Sequence, residues 1–386
     1  MAIGFEFATA ARILFGEGKV REVPAAAAAM GRRALVVTGV PPELAAPLVT
    51  GLEAAGVACL PLEVAGEPTI EMVRQGSQYA RAERCDLVIA MGGGSAIDAG
   101  KSLAAMLANP GDPLDYLEVV GRGQPLARAS APFIAIPTTS GTGSEVTRNA
   151  VLASPQHRVK ASLRGSSMLP RLAVVDPALT LGLPRAVTAS TGLDALTQVI
   201  EPYVGVRANP MTDLFCVEGI RRAAGALPRV WEDGGDRQAR TDMAWASLLG
   251  GLALANAGLG AVHGFAAPIG GMFPAPHGAV CAALLPHAIA VNIQALRARA
   301  PSSQALGRYG EVARLLTGGS QATAEDGVRW TAEICRRLEI PLLRAYGVTE
   351  ADIPDLVEKA AQASSMKGNP IVLTAEELRQ IISRAI

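Results

Sequence analysis

The sequence predicts an α/β domain built on a parallel sheet over residues 1–183, followed by an all-helical domain over residues 184–386. Three observations carry this. Short aliphatic runs alternate with helical stretches through the first half, the rhythm of a parallel sheet covered on both faces. Beyond Pro184 strand-like runs nearly vanish, and segments of helical length and periodicity take over. Two glycine-rich loops directly follow two of the predicted strands, as expected where an open sheet binds a ligand at its C-terminal edge.

The elements follow in order. The alanine run 25–29 is too short to span a bilayer and reads as part of a helix. Residues 34–38 form a strand ending at Gly39, and 41–56 a helix. A strand over 57–62 leads to a helix over 70–84. Residues 87–90 form a strand running into Gly92-Gly93-Gly94, and 133–136 another, ending at Pro137. Residues 109–128, rich in Gly, Pro and Asp, read as a long surface connection. His157, between Pro155 and Arg158, falls in a hairpin as an ordinary surface residue, and residues 172–175 make the last strand before Asp176-Pro177. In the second half, 194–203, 210–224, 240–256 and 376–385 read as helices.

Composition narrows the function. At 386 residues the chain is long enough for two cores, apolar residues make up 49%, and 35 basic residues balance 35 acidic ones. Nothing in this balance invites nucleic acid or an anionic membrane. Five cysteines, odd in number and without a C-x-x-C pair, read as reduced thiols of a cytoplasmic protein. The N-terminal segment lacks the basic-then-apolar order of a signal peptide.

The loop Gly92-Gly93-Gly94-Ser95 follows a strand and opens a helix, so its backbone can approach a pyrophosphate and offer it unpaired N–H groups. The second loop, Pro137 to Glu145, is dense in hydroxyls and glycines. Neither loop is a G-x-G-x-x-G fingerprint or a P-loop. A dinucleotide held by a variant loop set is the reading. In the second half Asp194 and Gln198 lie one helical turn apart on one face, and His263 and His277 follow in a stretch crowded with Gly and Pro. This is nearly a four-ligand site for a divalent metal, with Gln where His would be the stronger donor.

Together these motifs resemble the iron-containing (group III) alcohol dehydrogenase family. Gly92-Gly93-Gly94-Ser95-x-x-Asp98, Pro137-Thr138-Thr139 to Glu145, Asp176-Pro177, Thr191-Gly192-x-Asp194-Ala195-Leu196, Gly260-x-x-His263-Gly264, Pro276-His277-Gly278 and Leu285-Pro286-His287 occur in that family's order. The resemblance implies a Rossmann-like nucleotide domain and a helical domain of the dehydroquinate-synthase-like fold. It implies NAD(P)(H) bound by Gly93, Gly94 and Ser95 at the pyrophosphate, with Asp98, Thr138, Thr139 and Thr142 around the nicotinamide half and Lys160 at the ribose. Gly39 stands where many NAD-preferring members carry an acidic residue, so the repulsion of a 2′-phosphate is absent and NADP(H) is admitted. It implies a divalent ion, Fe²⁺ or Zn²⁺, on Asp194, Gln198, His263 and His277, with Asp194, His263 and His277 catalytic. A small alcohol or aldehyde is the implied substrate and a homodimer the implied assembly.

Two departures stand out. Position 198 is Gln, and position 267, a proton-relay His in many members, is Ala. They motivate an alternative, a metal-independent keto-acid reductase resembling the maleylacetate reductases. A lyase of the dehydroquinate-synthase type would need more Lys, Arg and His around a phosphorylated substrate than the second half offers. A non-catalytic nucleotide-binding protein is the remaining reading.

Overall fold

A computed structural model describes residues 4–386. Among the described residues, eight strands and fourteen α-helices fall into two compact units. The first comprises Ala8–Thr139 and Gly143–Leu181; the second comprises Gly182–Ile386, Ser140–Thr142 and residues 4–7.

In the first unit the strands are β1 (Ile13–Phe15), β2 (Arg33–Thr38), β3 (Ala58–Glu63), β4 (Leu87–Gly92), β5 (Phe133–Pro137), β6 (Asn149–Ser154), β7 (Val159–Arg164) and β8 (Leu172–Val175). Six form one parallel sheet in the order β1-β8-β5-β4-β2-β3, and β6 and β7 pair as an antiparallel hairpin. Helices α1 (Val23–Ala28), α2 (Pro42–Ala54), α3 (Ile70–Ala82), α4 (Gly94–Ala108) and α5 (Pro113–Tyr116) complete it. The period of two divides the strands between two cores. Leu35, Val37, Val88 and Ala90 pack with Val73, Ile97 and Leu103 on one face. Val36, Ile89, Met91 and Ile136 pack with Val23, Leu48 and Leu52 on the other. Burial on both faces is why β4 and β5 read as continuous apolar runs. β1 contributes three half-buried residues beside β8, too short for the sequence to announce.

From β2 the chain moves outward to β3, then returns to β4 on the other side of β2 and continues to β5 and β8. The topological switch therefore lies between β2 and β4. Gly39 follows one of these strands and Gly93 the other.

The second unit is helical: α6 (Arg185–Val204), α7 (Pro210–Glu232), α8 (Arg237–Ala257), α9 (Ala261–Met272), α10 (His277–Arg299), α11 (Gln304–Thr317), α12 (Ala324–Arg337), α13 (Ile353–Gln362) and α14 (Ala375–Ala385). The stretch around His263 and His277, crowded with Gly and Pro, is itself helical. Pro268 and Pro286 sit inside α9 and α10, and Pro276 is the N-cap residue of α10. α10 is long and apolar enough to cross a membrane, but 83% of its apolar window is buried inside the protein, where Val280, Leu284, Leu285, Ile289 and Leu296 join the core.

Candidate active site

Three loops meet at the C-terminal edge of the sheet. Gly39 N donates to the Met91 carbonyl (3.0 Å) and Thr138 N to the Gly92 carbonyl (2.9 Å). A Cβ on Gly92 would come within 2.6 Å of the Ala96 methyl and 3.1 Å of Gly39 N, so no side chain fits there. Gly93 caps α4 with no side-chain hydrogen bond, and Thr139 stands 3.4 Å from where its Cβ would be. The first N–H groups of α4 thus remain for an anion, at a turn where residues 92–94 carry no side chain. Gly93, Gly94 and Ser95 line it with Thr138 and Thr139 beside them, and these residues fit a dinucleotide pyrophosphate.

Asp98 and Lys160 are already engaged. Asp98 Oδ2 accepts from Val151 N (2.9 Å), Oδ1 accepts from the Ser144 hydroxyl, and Lys101 Nζ is 3.2 Å away. Lys160 Nζ pairs with Glu67 (2.9 Å). Thr142 belongs to the helical unit with Ser140 and Gly141.

Glu145 closes the second loop and is buried, and burial pushes its carboxyl up to about 7 against the pull of Lys101. A raised acid favours the folded state while protonated. That contribution is complete below the ordinary value of 4.5 and is lost as pH rises through about 7, amounting to about 3 kcal/mol. Glu145→Gln should therefore melt higher than the parent at pH 8 and show no such gain at pH 5. Melting curves whose difference is independent of pH would refute this.

The second constellation lies within the helical unit. Asp194, Gln198 and Glu201 occupy one face of α6 at i, i+4 and i+7, all buried. His263 comes from the first turn of α9, and His277 is the first residue of α10. Gly278 lets α10 approach, since a Cβ there would lie 2.5 Å from the Ser190 carbonyl oxygen. His263 Nε2 lies 3.3 Å and His277 Nε2 3.7 Å from Asp194 Oδ1, with ring centroids 5.4 Å apart. Cys281, one turn after His277, places Sγ 3.8 Å from His263 Nε2 and 3.7 Å from His277 Nε2. One donor atom from each of Asp194, His263, His277 and Cys281 lies within 4.8 Å of all the others.

Glu201 organises this cluster. Its Oε2 holds His263 Nδ1 at 2.7 Å, which turns Nε2 toward Asp194. Its Oε1 accepts from Val262 N (2.7 Å), while Asn369 Oδ1 accepts from Ala261 N (3.1 Å), so the first donors of α9 are satisfied. Gln198 Nε2 donates to the Gly141 carbonyl (2.9 Å). Asp194 Oδ1 and Gln198 Oε1 are buried without a hydrogen-bond partner. Orphaned buried oxygens cost free energy unless a cation satisfies them. Burial raises the Asp194 carboxyl, but the imidazoles of His277 and His263 reverse this and hold it below its usual range. Burial likewise depresses both imidazoles, but Cys281 with Glu201 at His263, and with Asp194 at His277, holds each above its ordinary value. A buried carboxylate oxygen without a hydrogen-bond partner, gathered with two imidazoles and a thiol, fits a divalent ion.

The sequence brings Asp194, Gln198, His263 and His277 to notice but not Glu201 or Cys281. Both carry a periodic signal, Glu201 seven residues after Asp194 and Cys281 four after His277. Ala267 lies on α9 one turn after His263, and no histidine replaces it there.

A nucleotide-binding α/β unit joined to a helical unit with a buried carboxylate–imidazole cluster defines an oxidoreductase acting on CH–OH groups with NAD(P) and a divalent metal. Residues 10–177 match the family model of iron-containing alcohol dehydrogenase, and residues 188–386 that of the Fe-containing alcohol dehydrogenase family, C-terminal. The chain belongs to the iron-containing alcohol dehydrogenase family. It is 37% identical to alcohol dehydrogenase 4 of Saccharomyces cerevisiae, over 82% of this chain and 80% of that protein. It is 36% identical to 1,3-propanediol dehydrogenase of Klebsiella pneumoniae, over 81% and 79%. A crystal structure of 1,3-propanediol oxidoreductase superposes on all of both chains with a TM-score of 0.91 at 32% identity.

Proposed function

We propose that this alcohol dehydrogenase holds its divalent ion on Asp194, His263 and His277, with Gln198 Oε1 as a weak neutral donor, and its dinucleotide on Gly93, Gly94 and Ser95. The observation that carries the reading is the convergence of three donor groups around a buried Asp194 oxygen that has no hydrogen-bond partner. An ion bound there supplies Lewis acidity, which eases deprotonation of an alcohol and polarises an aldehyde carbonyl. The residues do the rest. Asp194 supplies the anionic oxygen, His263 is fixed in one tautomer by Glu201, and His277 stands at the more open side, one-third exposed. With Ala at 267, the substrate proton takes another route, through His277, a ribose hydroxyl or water.

Thr138, Thr139, Thr142 and Asp98 flank the nicotinamide half in this reading, and Lys160 leaves Glu67 to meet the ribose. Gly39 admits NADP(H) beside NAD(H). The domain boundary is placed at residues 183/184, the assembly is a homodimer, and five free cysteines support a cytoplasmic location. The propanediol dehydrogenase relatives make 1,3-propanediol the first substrate to test. Purified protein should reduce NAD⁺ or NADP⁺ in its presence and lose that activity on exhaustive chelation. Failure to alter NAD(P)H fluorescence on titration would sink the proposal at its base, and full activity after chelation would assign the metal-independent keto-acid reductase instead.

Glu201→Gln provides a sharper test. The Gln carbonyl can still accept from Val262 N, but its NH₂ would then face His263 Nδ1. That arrangement moves the imidazole proton to Nε2, the nitrogen that must stay free for an ion. Metal affinity should fall roughly 10- to 100-fold. Equilibrium dialysis measures it, and an unchanged affinity would remove Glu201 from this role.

A further inference from the structure

Resting on the metal reading above, we infer that Cys281 Sγ is the fourth strong ligand of the ion, beside the weak Gln198 donor, and that the centre selects Zn²⁺ over Fe²⁺. Cys281 is fully buried, one helical turn from His277, so its sulfur and the His277 imidazole rise from the same face of α10. Tetrahedral zinc with ordinary bond lengths separates oxygen from nitrogen ligands by roughly 3.3 Å and nitrogen from sulfur by roughly 3.6 Å. The observed separations are 3.3 and 3.7 Å for Asp194 to the two imidazoles, and 3.8 and 3.7 Å for Cys281 to them. These four separations suit donors that share one ion, and the orphaned Asp194 Oδ1 is one of the four atoms.

Gln198 is the poorer donor. Its amide nitrogen is committed to the Gly141 carbonyl, and its remaining oxygen is neutral. A thiolate is both a softer and a charged donor, and with Asp194 it neutralises a divalent ion in a buried site. On loading, the thiol S–H bond is exchanged for a metal–sulfur bond and its proton passes to solvent, with no change of oxidation state. Soft sulfur favours zinc over ferrous iron, and the three oxygen and nitrogen donors accept either.

Cobalt(II) substitution of the full-length protein reads the first shell directly. The expected spectrum shows visible d–d bands of a bound ion together with a near-ultraviolet thiolate-to-cobalt charge-transfer band. Cys281→Ser and Cys281→Ala should lose the charge-transfer band while keeping d–d absorption, and bind Zn²⁺ roughly tenfold or more weakly. Gln198→Ala should keep the band. The parent spectrum decides even if neither Cys281 variant folds. d–d bands without charge transfer would overturn the Cys281 assignment and leave the metal reading standing, whereas absence of d–d bands would overturn the metal reading itself. In competition at equal concentrations the parent should retain Zn²⁺ over Fe²⁺ by more than about tenfold, a preference that shrinks in Cys281→Ser. Equal retention of the two metals by the parent would overturn the zinc preference.

Discussion

Asp194→Asn should lose its divalent metal on gel filtration and lower NAD(P)-dependent alcohol oxidation on the order of a thousandfold. Asp194 is 1% exposed and sits among two imidazoles and a sulfur. The substitution keeps shape and removes the charge that holds the ion. Native melting in the metal-free state should fall at neutral pH, because the substitution removes the buried carboxylate that the imidazoles of His277 and His263 hold below its usual range. Metal analysis, steady-state rates and melting of the apoprotein check the three parts separately. Full metal content with a parental rate would show that the cluster is not the centre of the reaction.

Lys101→Met should destabilise the first unit by about 3–5 kcal/mol and lower its melting midpoint on the order of 10 °C. Lys101 lies on α4 with its side chain fully buried. Its ammonium donates to the Ser144 carbonyl (2.9 Å), the Thr147 hydroxyl (2.8 Å) and the Asn149 carbonyl, with Asp98 3.2 Å away. Burial pulls the amine below its usual range against the opposing pull of Asp98. Met fills the volume but removes three charge-assisted hydrogen bonds and the ammonium beside the Asp98 carboxylate, in a region that also positions the second loop. The double variant with Asp98→Asn should be less destabilised than the sum of the two single changes. A thermal scan checks both, and a Lys101→Met midpoint within a degree of the parent would refute the network's importance.

Much of this was legible in the chain, for identifiable reasons. Residues 87–90 and 133–136 are continuous apolar runs because β4 and β5 are covered on both faces, and such runs can be read without knowing their neighbours. The Asp194–Gln198 pair was readable because a single helix sets its spacing. β1 was not, since its three residues are strand only by virtue of β8 beside them. Helices α9 and α10 were obscured by glycine and proline, whose low helical propensity is outweighed here by burial against the core. Glu201 escaped for a different reason. It lies inside the helix read over 194–203, but its role shows only once His263 is placed against it. Cys281 becomes visible only once His277 is known to open a helix.

Residues 140–142, part of a loop that starts at the edge of the sheet, are counted with the helical unit, where Gly141 packs on Thr191 and accepts from Gln198. Neither unit is therefore a contiguous stretch of polypeptide. A chain severed at residue 183 would release a helical fragment lacking the carbonyl that holds the Gln198 amide, and a sheet fragment carrying three residues whose packing partners had been cut away. The boundary drawn along the sequence divides composition cleanly, but it is not a seam along which the protein can be taken apart.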